Sequence, residues 1–593
     1  MNKMLGIFSR TNTLGFKGRK LRFAVTITAC LAFSLFGYDQ GLMGSLITGT
    51  QFNDEFPATR KNGDDDQHAT VIQGAVTSCF ELGCFAGSLW VMFFGERVGR
   101  KPLITFGTFV VIIGVLISVT SYREHWGLGQ FVIGRVTTGF GVGFCTSQVP
   151  IWQSEMSKPE NRGLLVNLEG STIAVGTMIA YWVTFGLSYV DSSAQWRFPV
   201  SLQILFALFV LFGILNLPES PRWLMAHNRE NAALEILGKL DDLPIDDDQI
   251  IAEASVIQDA VNRFKHQKTS VKDLFSKGKS QNLHRALVAS STQFFQQFTG
   301  CNAAIYYATV LFNESIGLEK RLSMILGGVF ATIYALSTIP SFFLIESLGR
   351  RKLFLIGASG QAISFTITFA CLIDNNTNNS KGAAVGLFLF IVFFGMSMLS
   401  LPWIYPPEIA SMRVRSMTNA MSTCTNWLCN FAVVMFTPIF IQNSDSWGCY
   451  LFFAIINYLY IPVIFFFYPE TAGRSLEEID IIYAKAFTDG TQPWRVAATL
   501  PKLSLTEVED YGNSLGLYDD DNDKEEEEEK EEDGVSNNEP TGVNGYNLFV
   551  PNEEADESSY SSTSRVDSIN QGKQDEKISN SNNATFDVDA SKK

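Results

Sequence analysis

Gly99-Arg100-Lys101 returns later in the chain as Gly349-Arg350-Arg351, and that return decides the fold. Working outward, Glu155 with Arg162 seven residues on returns as Glu408 with Arg415 seven residues on, and Pro218-Glu219-Ser220 returns as Pro469-Glu470-Thr471. One such match would be coincidence. Three in the same order, at a nearly constant offset of about 250 residues, imply two copies of one unit, an architecture in which a site forms between the copies.

The copies are built for lipid. The chain has 593 residues, of which 46% are hydrophobic and only 18% charged, and it contains 48 Phe, which excludes an ordinary soluble domain. Apolar stretches of about twenty residues recur, each long enough to cross roughly 30 Å of hydrocarbon. Twelve spans are expected, near 23–47, 71–95, 102–120, 126–150, 163–187, 197–217, 285–312, 322–345, 353–373, 382–407, 417–441 and 447–468. The predicted fold class is an all-α polytopic membrane protein with 12 transmembrane helices in two six-helix halves. The segments read as a cytoplasmic N-terminal stretch 1–22, a first half 23–217, a cytoplasmic linker 218–284, a second half 285–468 and a cytoplasmic tail 469–593, disordered and acidic beyond about 485.

Charge sets the orientation. Lys3, Arg10, Lys17, Arg19, Lys20 and Arg22 precede the first span, so the positive-inside rule places the N-terminus in the cytoplasm, and an even number of spans returns the C-terminus there. The basic loops at Arg97, Arg100 and Lys101, at Arg350, Arg351 and Lys352, and at Arg413 and Arg415 fall on that same side. The loop 374–381 falls on the other side and carries sequons at Asn375 and Asn378, whose outward location would permit glycosylation and leaves its use open. Much of the net charge of -15 sits in the tail, which includes Asp519-Asp520-Asp521 and the run Glu525 to Glu529, so it says little about the spans. Nine cysteines lie mostly in apolar stretches at spacings that fit neither a disulfide framework nor a zinc site, so they are assigned to packing. No cleavable signal peptide is evident, and the first helix is expected to act as the signal.

Ionisable groups inside the spans mark function. Asp39 sits in Phe33-Ser34-Leu35-Phe36-Gly37-Tyr38-Asp39-Gln40-Gly41, within an apolar run that holds no other charged side chain. A carboxylate at membrane depth costs roughly 2.5 to 3.5 kcal/mol, so it faces a cavity, finds a partner or carries a proton. Arg135, in a glycine-rich stretch from Gly134 to Gly143, is the second such residue and the obvious partner. An Asp near a helix end and an Arg snorkelling to the interface are the alternatives. Glu81 and Glu169 are further carboxyls in apolar spans and rival proton sites.

Amides supply the second signal. Gln293, Gln296, Gln297 and Gly300 share a face of span 7, whereas Asn302 lies about 140° from Gln297 on an ideal helix. Both reach one site only if the helix breaks near Gly300. Span 11 offers Thr423, Asn426 and Asn430 on one face, and span 10 offers Pro402-Trp403. Amides beside an aromatic suit a neutral polyhydroxyl ligand, with interhelical hydrogen bonding as the alternative. Arg100, Glu155, Arg162, Arg350, Glu408 and Arg415 lie at helix ends on the basic side, placed for ion pairs that break during a rocking motion.

Together these residues carry a family resemblance. The Phe36-Gly37-Tyr38-Asp39 run, the two Gly-Arg loops, Arg135, Pro218-Glu219-Ser220-Pro221-Arg222, Gln296 to Asn302 and Pro469-Glu470-Thr471-Ala472-Gly473 resemble the sugar-porter branch of the major facilitator superfamily over about residues 20 to 480. Within it, Gln153-Ser154-Glu155-Met156-Ser157 and Asn426-Trp427-Leu428-Cys429-Asn430 are similar to the fungal sugar-transporter-like (Stl-type) glycerol/proton symporters. The resemblance implies that Asp39 is the protonatable group paired with Arg135, and that Gln296, Gln297, Asn302, Trp403 and Asn426 contact substrate. There are departures: Gly170 stands where hexose porters carry a ligand Gln, Tyr334 where span 8 commonly has an Asn, and Ser397-Met398-Leu399-Ser400 replaces a Gly-Pro-rich stretch.

The reading is a proton-coupled symporter taking up glycerol at the plasma membrane, with no enzyme chemistry, cofactor, metal or nucleic acid involved. Its partners are a small polyol, a proton and the lipid bilayer, with regulatory or endocytic proteins expected on the C-terminal tail. A hexose or pentose porter and a non-transporting nutrient sensor on the same fold are the alternatives, and a six-span glycerol channel does not fit.

Overall fold

Every regular element among the described residues is helical. The computed structural model describes residues 13, 15–61, 66–158, 162–265, 271–373, 377–445, 447–503 and 505–517. The described chain lies in one compact unit, residues 1–524. Asn375 and the acidic runs at 519–521 and 525–529 lie outside the described residues, as do the side chains of Asn378 and Arg162.

The first six spans are Gly18–Leu46, Gln67–Val98, Arg100–Val119, Leu128–Glu155, Arg162–Leu187 and Ala194–Asn216. The second six begin with span 7, broken into Asn282–Phe298 and Cys301–Val310, and span 8, Lys320–Ser337 bent by 42° into Ser341–Leu348. Arg350–Ile373 follows as span 9, and span 10 runs Thr377–Phe393, a π-helical turn Phe394–Met398 and Leu401–Ile409. Arg415–Asn443 and Gly448–Phe467 complete the set as spans 11 and 12.

Among the described residues nine helices cross a membrane by length and composition alone, and the bent pair of span 8 makes a tenth. The other two, spans 4 and 7, are less apolar because they turn Arg135 and the amides Gln293, Gln296, Gln297 and Asn302 inward. The outer surface shows the reverse pattern. Phe23, Phe93, Phe109, Phe198, Phe212, Phe343 and Phe466 are exposed, which suits a surface wetted by lipid.

The repeated motifs have one structural meaning. Gly99 and Gly349 sit at φ +102° and +84°, each immediately before the first residue of a span, and a Cβ on either would meet a carboxylate oxygen, of Glu219 at 2.9 Å or of Glu470 at 2.5 Å. Those carboxylates accept the free backbone N–H groups of the helix start: Lys101 N reaches Glu219 at 3.0 Å, and Arg350 N and Arg351 N reach Glu470 at 2.8 and 3.1 Å. Glycine supplies the turn, and the glutamate of the distant Pro-Glu motif caps the span.

Between the halves the chain forms short helices, Pro221–Ala226, Glu230–Asp241, Asp248–Lys265 and Val271–Leu274. Asp241 ties them to span 1 through Arg22 at 2.7 Å and to the chain after span 4 through Lys158 at 3.4 Å. Beyond span 12, order reaches further than residue 485. Leu476–Thr488 starts with a reciprocal Ser475–Glu478 capping box, and Pro493–Thr499 and Leu505–Ser514 follow. Ile479, Ile482, Tyr483 and Ala486 pack on Val496 and Ala497, and Arg474 donates to the carbonyls of Ala497 and Leu500 at 2.9 and 2.6 Å. The expectation of disorder beyond about 485 is thus corrected over the described residues to 517: a few apolar side chains find a core that the segment's overall polarity conceals.

Candidate functional site

Span 1 turns two neighbouring polar side chains inward. Tyr38 donates to the Pro199 carbonyl of span 6 at 2.8 Å, which fixes the rotation of span 1 and leaves Asp39 and Gln40 buried toward the other helices. Arg135 donates from Nη1 to Asp39 Oδ1. Its Nη2 reaches the Thr77 carbonyl of span 2 at 3.5 Å, and its guanidinium stands 4.7 Å from the centre of the Phe80 ring. Such contact needs spans 2 and 4 close together, and Gly139 provides it, since a Cβ there would lie 2.0 Å from the Phe80 carbonyl oxygen. The sequence-derived pair is in contact, with Asp39 Oδ2 still unpartnered.

Gln40 points the other way along the site and donates to Asn302 Oδ1 of span 7. Asn302 donates to Gln297 Oε1 and, at 2.7 Å, to Asn430 Oδ1 of span 11, while Gln297 donates to Asn426 Oδ1. Five buried amides from spans 1, 7 and 11 therefore form one network. The 140° separation of Gln297 and Asn302 is removed by a break at Gly300, which has φ +94° and separates the two parts of span 7. Only glycine takes that conformation at low cost, and here a Cβ would also strike the Phe453 ring at 2.7 Å.

Gln296 touches the network only as an acceptor, from Gln297 Nε2 at 3.4 Å, and the other expected positions stand apart from it. Gln296 donates to the carbonyls of Met398 and Leu399 at 2.8 and 3.2 Å, and Gln293 to that of Pro402 at 2.8 Å, so both satisfy the irregular backbone of span 10. Trp403 is half-buried and, among the described residues, donates no hydrogen bond to the network. The indole next to Asn426 is Trp427, fully buried and edge-on to Phe36 at 5.2 Å. Thr423 bonds back to its own helix at the Asn419 carbonyl.

Two of the departures meet each other. A Cβ on Gly170 would lie 3.0 Å from Ser400 Oγ, so span 10 occupies space in which a longer side chain from span 5 would have to lie. Tyr334 is fully buried, its ring 5.8 Å from that of Phe394.

At the basic end, Arg100 bonds Glu155 at 3.1 Å and Glu96 at 2.9 Å, and Arg350 repeats this with Glu408 at 2.9 Å and Glu346 at 3.0 Å. The partner of each glutamate is thus the arginine of the Gly-Arg loop. Arg415 begins span 11 and is half-buried. In the loop after span 6, burial pushes the Glu219 carboxyl up to about 7, against the opposing pull of the Ser220 and Lys101 N–H groups and of Arg100.

Sequence reasoning passed over Gln40, whose signal was its place beside Asp39, and gave no role to Glu219 and Glu470, whose signal was their repetition. It left Glu81 without a neighbour. Tyr306 of span 7 donates to Glu81 Oε1.

The family model described as Sugar (and other) transporter matches residues 25–483. "Sugar transporter STL1" of Saccharomyces cerevisiae is 72% identical over 512 residues, which is 86% of this chain and 90% of that protein. "Major facilitator superfamily transporter mfsA" of Aspergillus fumigatus is 53% identical over 511 residues, 86% of this chain and 94% of that one. Among solved structures, the proton:xylose symporter XylE bound to 6-bromo-6-deoxy-D-glucose superposes with a TM-score of 0.67 at 23% identity, covering 78% of this chain and 99% of the other, a likeness of fold.

Proposed function

The chain belongs to the Sugar (and other) transporter family, and from that premise we propose that it is a proton-coupled symporter carrying glycerol inward by alternating access. It is a multi-pass membrane transporter of the major facilitator fold, not an enzyme. The observation that carries the finer reading is the adjacency of Asp39 and Gln40: one binds Arg135 and the next joins the amide network. A change at Asp39 on proton binding or release moves the backbone that holds Gln40, so proton and ligand act on one helix.

Asp39 is the proton carrier and Arg135 its partner. Gln297, Asn302 and Asn426, with Gln40 and Asn430, hold the ligand, while Gln296 and Trp403 shape the span 10 side. Neutral amides offer donors and acceptors to hydroxyls without attracting ions. The Gly170–Ser400 approach and the buried Tyr334 support a ligand smaller than a hexose, because they fill space and withhold two amides. At the basic end Arg100 with Glu155 and Arg350 with Glu408 form the gate, which Arg162 and Arg415 complete. That end is cytoplasmic, the membrane is the plasma membrane, and the tail receives regulatory or endocytic proteins.

A hexose or pentose porter is the second reading, favoured by the name "Sugar transporter" on the 72% identical relative. Uptake of labelled glycerol, glucose and xylose in a transporter-deficient host, with external pH recorded, separates them. Saturable glycerol uptake with external alkalinisation, poorly inhibited by glucose, is expected. Strong competition by glucose at comparable concentration overturns the polyol assignment, and absence of a pH change overturns the coupling.

A further inference from the structure

Glu81 has no part in the scheme above, yet it sits between its two components. It lies in span 2, fully buried. The groups that face it are the Tyr306 hydroxyl, which donates to Oε1, the Asn430 amide of the ligand network, and, further off, Cys79, Cys84, Tyr307 and the Asp39–Arg135 pair. Oε2 has no hydrogen-bond partner, and among the described residues no basic side chain forms an ion pair with Glu81. Arg135, the nearby cation, is held by Asp39 and the Thr77 carbonyl.

An isolated carboxylate in such a place is costly, whereas a carboxylic acid is not and keeps one O–H donor besides its acceptors. We propose that Glu81 is a ligand-contacting residue that keeps its proton through the cycle, accepting from Tyr306 with one oxygen and donating from the other to a hydroxyl of the bound polyol. The inference rests on the polyol reading above. It gives the small ligand a contact that the missing span 5 and span 8 amides do not supply.

The placement also ties ligand to closure. Tyr306 and Asn302 lie one turn apart on the same half of span 7, beyond the Gly300 break, and the first half of the molecule holds them through Glu81 and Gln40. Four residues of helix, about 6 Å of rise, separate them, so a ligand that meets Glu81 and the amide network acts on both ends of that turn. A ligand bound at both points draws that half-helix against spans 1 and 2.

The test is glycerol exchange by the purified full chain in liposomes, with equal pH on both faces and no potential, plus accumulation under an imposed proton gradient. Glu81→Gln retains a neutral donor and acceptor, so its KM stays within about threefold of wild type and accumulation persists. Glu81→Leu raises KM for glycerol about tenfold or more, the loss of one buried hydrogen bond, with maximal exchange little changed. Tyr306→Phe, which preserves volume, raises KM in the same direction and remains informative if the Leu variant does not fold. An unchanged KM in Glu81→Leu or Tyr306→Phe overturns the proposal. So does a Glu81→Gln variant that exchanges glycerol but no longer accumulates it, because Glu81 would then be a titrating coupling group. Failure of the underlying reading looks different: wild type that exchanges glucose but no glycerol rejects the polyol site itself, and with it this role for Glu81.

Discussion

Replacing Asp39 by Asn tests the coupling most directly. The substitution preserves shape and leaves a carbonyl oxygen to accept from Arg135 Nη1, but the side chain no longer releases a proton. Arg135 loses its only charged partner among the described ion pairs and keeps the Thr77 carbonyl and the Phe80 face. Removing one member of a buried pair costs about 3 to 5 kcal/mol when the other is left bare. Asn avoids part of that cost and Ala does not, so Asp39→Ala lowers abundance more than Asp39→Asn. The functional magnitude is larger. With a potential of about 150 mV and a gradient of about two pH units, one proton supplies roughly 6 kcal/mol, enough for on the order of 10⁴-fold accumulation. On the proposed coupling, wild type is expected to concentrate glycerol toward that limit. Asp39→Asn carries it only down its gradient, without alkalinising the medium, and still exchanges internal for external glycerol. The assay is the steady accumulation ratio of labelled glycerol in a transporter-deficient host, with an external pH electrode. If Asp39→Asn still concentrates glycerol and still takes up protons, the coupling site is elsewhere, and Glu169, whose two buried oxygens have no hydrogen-bond partner among the described residues, is the next residue to change.

Four further outcomes follow from the same geometry. Gln40→Leu removes the donor to Asn302 and leaves a buried acceptor unmatched, about 1 to 3 kcal/mol, so KM for glycerol rises between about fivefold and 100-fold while protons moved per glycerol stay constant. Arg100→Ala and Arg350→Ala each strip two carboxylates of their partner, and maximal uptake falls with KM little changed; unaltered maximal uptake at normal surface abundance rejects the gate. Because burial raises the Glu219 carboxyl from 4.5 to about 7, this structure binds a proton that an exposed glutamate releases, and stability falls as pH rises through that window by about 1.4 kcal/mol per unit. Tm of the purified protein should drop from pH 5 to 7, with a shallower slope in Glu219→Gln. Removal of residues 518–593 leaves uptake intact, whereas a cut at 475 removes Ile479, Ile482 and Tyr483 with their packing partners and lowers surface abundance, read by cell-surface labelling.

What the sequence made legible and what it hid differ by physical cause. Repetition exposed the two halves, because a helix start that needs a positive-φ glycine and a distant carboxylate cap leaves the same letters in both. Asp39 and Arg135 stood out because charges are rare in apolar runs, and the break at Gly300 followed from the geometry that Gln297 and Asn302 would otherwise violate. Gln40 stayed hidden because a neutral amide beside a charge carries no anomaly of its own. Which of the basic-end arginines pairs with Glu155 and which with Glu408 was unreadable for another reason: Arg100 and Arg350 approach from a different span, and no periodicity within one helix reports that. The tail helices were missed because their core is made of a handful of side chains inside a polar segment.

The division of contacts also bears on how the proposed cycle could run. Spans pack backbone to backbone within the first half, as at Gly139 against Phe80, and at points between the halves, as at Gly44 against the Tyr306 carbonyl and Gly74 against that of Met435. Between the halves, the joining contacts also include single hydrogen bonds, Gln40 to Asn302, Tyr306 to Glu81 and Tyr181 to the Ile305 carbonyl, and a two-bond ion pair, Lys61 to Glu314, at the end opposite the Gly-Arg loops. Each is worth about 1 kcal/mol net, or about 1.5 to 3 where a charge takes part, so breaking a few together lies within reach of one proton's roughly 6 kcal/mol. Three of the four land on the half of span 7 beyond Gly300. Gly300 separates that half-helix from the first part of span 7, while Asn302 to Asn430 at 2.7 Å and Tyr307 to the Val434 carbonyl at 2.9 Å tie it to its own half. In the proposed cycle this half-helix moves as the halves rock, and a ligand joined to Asn302 and to Glu81 opposes its release.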